Sequence, residues 1–195
     1  MNKILSYANN NKVHLSLTAI ATLNAYLINY FNTLCNCSVS FVLFLFTVNL
    51  IQNYFGTTKA IYSAVTALSV AYTAQAGLPY HVQGQFMPEL IKFSLSSAAI
   101  SVAVSLRLIS YFSTHYPKNS FMVKNCTCVI LAVLIDASIM AIYFASMYKP
   151  AIATKIFIKS LGYKAIYTVL LFATSPILKT VEQKYIDRLS RFKVK

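Results

Sequence analysis

Six stretches of this chain are apolar over about the length a helix needs to cross a hydrocarbon layer: Val13–Phe31, Val39–Phe55, Ala60–Leu78, Leu90–Phe112, Cys126–Met147 and Ala151–Leu178. At about 1.5 Å per residue, roughly 20 helical residues match a core of about 30 Å. Backbone N–H and C=O groups inside lipid must be satisfied within the protein, and for continuous apolar runs the helix does this. Composition agrees, with 57% hydrophobic and only 11% charged residues, against about 25% charged in a soluble domain. The expected fold is all-α: a polytopic membrane protein built as a bundle of six transmembrane helices.

The gaps between runs are short, the notable ones being Pro79–Glu89 and Ser113–Lys124, so no soluble domain is expected. Residues 1–12 read as a cytoplasmic N-terminus, 13–178 as the six-helix domain and 179–195 as a basic cytoplasmic tail. Lys3 and Lys12 precede the first run. Its apolar part is longer than a signal-peptide core and has no obvious small-residue cleavage site, so it is expected to stay as a span.

With 17 Lys and Arg against 4 Asp and Glu, the net charge is +13. A nucleic-acid partner would call for a basic stripe interleaved with aromatics, and the basic residues follow topology instead. Lys3, Lys12, Lys59, Lys118, Lys124 and the tail from Lys179 to Lys195 fall on one side, whereas Asn32–Ser38, Pro79–Glu89 and Tyr148–Pro150 contain only Lys149. By the positive-inside rule both termini are expected in the cytoplasm, with the lipid bilayer as the surrounding partner and no nucleic acid.

Within this apolar frame Asp136 stands out, because no other charged residue occurs between Lys124 and Lys149. A carboxylate at that depth costs several kcal/mol unless something receives it, so it reads as functional. Asn49 and Asn53 lie four apart on the second run, on one helix face. They suit either a polar ligand or a neighbouring helix, and Asn24 and Gln75 invite the packing reading. Lys92 and Arg107 near the ends of the fourth run can snorkel to headgroups. Lys164 is a boundary anchor if Ala151–Gly162 is interfacial, and intramembrane if the sixth helix is continuous. The pairs Cys35/Cys37 and Cys126/Cys128 have CxC spacing and fall on opposite faces, so no shared metal site is expected. Paired catalytic groups and a phosphate-binding GxxxxGK[ST] loop are missing, which argues against an enzyme and against a cofactor.

The run SVSFVLFLFTVNLIQNYFGTTKAIYSAV from Ser38, KFSLSSAAISVAVS from Lys92, KNCTCVILAVLIDASIMAIYF from Lys124 and YKAIYTVLLFATSP from Tyr163 carry ordered motifs. In that order they resemble the queuosine precursor transporter family, also called the vitamin uptake transporter family, as a divergent member. Asn49 stands where that family usually has Asp, Asn53 where Glu is common, Val133 for Gln or Asn, and Cys128 for Ser. The resemblance implies a six-helix protein of the bacterial inner membrane that imports 7-deazaguanine precursors such as preQ0 or preQ1. It places the substrate-binding residues at Asn49, Asn53, Lys92, Asp136 and Lys164. A carboxylate accepts two adjacent N–H donors of a guanine-like edge, which makes Asp136 a sensible reader. The competing expectation is a non-transporting interaction or assembly protein in which Asp136 and Lys164 form a buried ion pair.

Overall fold

The computed structural model describes residues 2–30, 33–82, 85–87, 89–118 and 120–174, with side chains described from Asn11 onward except at 82 and 85. The basic tail 179–195, Pro176 and the side chain of Lys3 lie outside the described residues. Six helices make up most of the described residues: α1 (Asn2–Tyr30), α2 (Leu34–Phe55), α3 (Thr57–Gln75), α4 (Leu90–His115), α5 (Phe121–Met147) and α6 (Pro150–Ala173). Between α3 and α4, β1 (His81–Val82) and β2 (Gln85–Phe86) form a small antiparallel hairpin, with His81 opposite Phe86.

Local chemistry sets the boundaries. Gly56 takes a φ of 89°, a conformation that favours glycine, and so lets α3 start as soon as α2 ends. Ser120 caps α5, its hydroxyl accepting from Val123 N at 3.4 Å. Pro150 opens α6, where its missing N–H costs nothing. From there α6 is continuous, so Lys155, Lys159 and Lys164 sit on one helix rather than straddling an interfacial segment.

Contacts arrange α1, α3, α4, α5 and α6 as successive neighbours around α2, which packs against all of them. Direction follows from the cross-helix bonds. His14 meets Ser63 at 3.1 Å and Gln75 Nε2 donates to Tyr26 O at 2.6 Å, so α1 and α3 run parallel. Asn49 meets Ser105 and Gln52 meets Ser110, so α2 and α4 do as well. Ser97 meets Asp136 while Ser105 and Asn125 converge on Asn49, which makes α4 and α5 antiparallel. Small side chains allow this closeness: Ala60, Ala64, Ala67 and Ala71 of α3 and Ala21 and Ala25 of α1 are buried, at the spacing that lets membrane helices approach backbone to backbone.

Among the described residues four helices, α2, α4, α5 and α6, are long and apolar enough to cross a membrane. Helices stand at all six expected runs, but among the described residues α1 and α3 do not reach that apolarity, so the structure carries four of the six expected spans. The reason is visible in their residues: His14, Asn24 and Asn29 in α1, and Thr57, Thr58, Ser63, Thr66, Ser69 and Thr73 in α3. Part of that polarity is consumed internally. Asn24 Nδ2 donates to Ile20 O at 2.9 Å, and Thr18 bonds Ser63 across the α1/α3 contact at 2.8 Å.

Candidate functional site

Asp136 lies on the buried face of α5, beside Ala132, Val133 and Ala137. Counted along the helix, it stands about 22 Å from Phe121 and about 16 Å from Met147 at about 1.5 Å per residue, close to mid-span. Its side chain is fully engaged. Lys164 Nζ donates to Oδ2, and Ser97 Oγ donates to Oδ1 at 2.6 Å. Both ions are buried, Asp136 at 3% exposure and Lys164 at 6%. The ammonium also lies over the Phe41 ring, 4.5 Å from its centre, a cation–π contact that recovers part of its lost hydration. Four helices thus build the site: α5 and α6 bring the charges, α4 a hydroxyl and α2 an aromatic face.

The pair is not sealed in packing. Asp136 and Lys164 form one wall of a cavity of about 110 Å³ that extends toward the hairpin end of the bundle, past Phe41, Ser94 and Asn29 to Tyr80. Asn29 is 7% exposed and its Nδ2 has no partner, so an N–H pair is free where the cavity begins. Burial raises the Tyr80 phenol above its ordinary pKa, with Tyr26 and Cys37 adding to the effect, so it is a neutral hydroxyl at the rim. The volume falls below the roughly 150 Å³ of an engineered cavity that takes up benzene. As it stands, the space suits a few waters rather than a bicyclic ring.

Of the residues singled out in the sequence, Asp136 and Lys164 are brought together and the others are not. Asn49 is fully buried one layer away. Its Nδ2 donates to Ser105 Oγ at 2.9 Å and Asn125 Oδ1 at 2.6 Å, and its Oδ1 accepts from Ser105 at 3.1 Å. Asn53 is exposed near the end of α2. The inner position there belongs to Gln52, whose Nε2 reaches Leu106 O at 2.9 Å and Ser110 Oγ at 2.7 Å. Four residues overshoot a full turn by about 40°, and that drift, close to the helix end, turns Asn53 away from the cluster Asn49 occupies. Lys92 is exposed and bonds Glu89 one turn earlier at 3.0 Å, so it takes no part in balancing Asp136.

Ser97, Phe41 and Asn29 escaped the sequence reading. A signal for Ser97 existed, since Ser94, Ser97, Ser101 and Ser105 repeat at three- and four-residue spacing along α4 and are all buried. Phe41 sits among many phenylalanines, and nothing local distinguishes Asn29 from the packing amide Asn24. No family model, curated protein or solved structure matches this chain.

Proposed function

We propose that this chain is a membrane transporter for a small, planar, hydrogen-bonding solute, with 7-deazaguanine bases such as preQ0 and preQ1 as the first candidates. In this reading all six helices cross a bacterial inner membrane and both termini are cytoplasmic. The observation that carries it is that a buried, oppositely charged pair forms the wall of a cavity instead of being enclosed by side chains. Ion pairs at mid-span typically line substrate or ion pathways.

The geometry suggests how a solute would be received. Two adjacent N–H donors on one edge replace the Lys164 ammonium at Asp136, a bidentate exchange that keeps the carboxylate satisfied. The free Asn29 N–H meets an acceptor on the opposite edge, and Phe41, relieved of the cation, faces the ring. A bicyclic base needs more room than about 110 Å³, so Lys164 must move as the solute enters. Separation of the pair is then the gating event, and the solute leaves chemically unchanged.

The direct contact between Asp136 and Lys164 also favours a second reading, a non-transporting interaction protein held together by that pair. Uptake of labelled 7-deazaguanine bases in a host lacking its own carrier separates the two. The transporter reading expects uptake above an empty-vector control. Asp136→Asn should weaken it by about 30- to 150-fold at limiting solute, from roughly 2 to 3 kcal/mol of lost charge-assisted bonding, with protein abundance less affected. No uptake above the control, together with reduced abundance of the mutant, supports the interaction protein.

A further inference from the structure

A polar seam leaves Asp136 in the direction opposite to the cavity. Ser97 holds the carboxylate at 2.6 Å. One turn further along α4 stands Ser101, and the next turn brings Ser105, which exchanges bonds with Asn49. Beyond them Gln52 bonds Ser110 at 2.7 Å and Thr57 at 3.2 Å, and both of these partners are exposed. From Ser97 to Ser110 the seam covers about 20 Å at about 1.5 Å per residue. With the cavity on the other side, the polar line crosses the bundle, and Asp136 lies where the two parts meet.

Packing alone does not account for this seam. Where serine and threonine serve only to fill a membrane helix, the hydroxyl bonds the carbonyl four residues back, as Thr47, Ser138 and Thr168 do here. Ser101 is fully buried and its hydroxyl has no partner. The Nδ2 of Asn125, also fully buried, and the Oε1 of Gln52 likewise have none. Three unfilled hydrogen-bonding positions along one seam are unfavourable in a permanently dry interior. They are the lining expected of a passage that fills with water or solute in another state.

We propose that this seam, between α2, α4 and α5, is the second half of the translocation path. It would be hydrated when the bundle opens at the end carrying Lys59 and Lys118, and would pass a neutral solute that carries both donors and acceptors. This inference rests on the transporter reading. The named seam residues beyond Asp136 are hydroxyls and amides without charge, which is why a neutral solute fits it.

The test uses the full chain in membrane vesicles of both orientations, with single substitutions Ser101→Cys, Ser105→Cys and the exposed-face control Ile100→Cys. A membrane-impermeant methanethiosulfonate is added from the Lys59 face, and the labelled position is located by mass spectrometry against the native cysteines. Cys is close in size to Ser, and two seam positions guard against one variant misfolding. At least a ten-fold faster reaction at Ser101→Cys or Ser105→Cys than at Ile100→Cys is expected. Rates at both seam positions no faster than the control would overturn the proposal. Labelling does not depend on which solute is carried: seam labelling without uptake of 7-deazaguanines counts against that solute, whereas uptake without seam labelling places the path elsewhere.

Discussion

Replacing Lys164 with methionine should damage this protein more than any exposed substitution, and a second substitution should repair most of the damage. Lys164→Met keeps the length and bulk of the stem but removes the ammonium from a carboxylate that is 3% exposed, leaving Asp136 with Ser97 as its remaining partner. Removing one member of a buried pair typically costs about 3 to 5 kcal/mol, because the survivor is left uncompensated. Asp136→Asn should cost less, since Lys164 retains the Phe41 face at 4.5 Å, a contact worth about 2 kcal/mol when desolvated. In the double variant Asp136→Asn/Lys164→Met neither charge is present, and replacing a whole buried pair is often neutral. Melting of the purified protein in detergent reads this out. For a chain of this size about 2 to 4 °C accompany each kcal/mol, so Lys164→Met should melt roughly 6 to 20 °C below the parent and the double variant within a few degrees of it. If the losses of the single variants simply add in the double variant, the pair does not exist as described. If Lys164→Met melts like the parent, the site is hydrated enough that the charges do not depend on each other.

Three further outcomes are expected. Reporters fused after Lys195 and within Pro79–Glu89 should report opposite sides of the membrane, and agreement between them would rule out six crossings. Asn49→Leu should lower the melting temperature, because it strands Asn125 Oδ1 and Ser105 at about 1 to 3 kcal/mol for each unsatisfied group; Asn53→Leu, on an exposed position, should not, and equal effects would contradict the placement of these two residues. Ala67→Leu on the fully buried α1/α3 side of α3 should cost about 1 to 3 kcal/mol by overpacking, measured as lost thermal stability, while the more exposed neighbour Val70→Leu leaves it unchanged.

The positions of the helices and the one anomalous residue among them can be read along the chain without any tertiary contact. Run length and the isolation of one carboxylate are one-dimensional properties, and a helix that must satisfy its own backbone in lipid needs no distant partner to form. The sequence also held the serine repeat of α4, legible as a 3.6-residue periodicity. What it left open was the identity of the cation. Lys92 and Lys164 both stood among the expected site residues, with Lys164 paired to Asp136 only in the competing expectation, and the choice depends on which helices adjoin α5 and at what height each side chain arrives. Only the packing of α6 against both α5 and α2 brings Lys164 to Asp136, while Lys92 turns outward to Glu89. The same holds for Asn53 and Gln52: one residue is a rotation of about 100°, so neighbouring amides go to opposite environments, and the tertiary contacts of α2 with α4 decided which of them is buried. Asn29 shows the limit most plainly, since an amide becomes a candidate binding group through the empty space beside it, and space belongs to the assembled bundle.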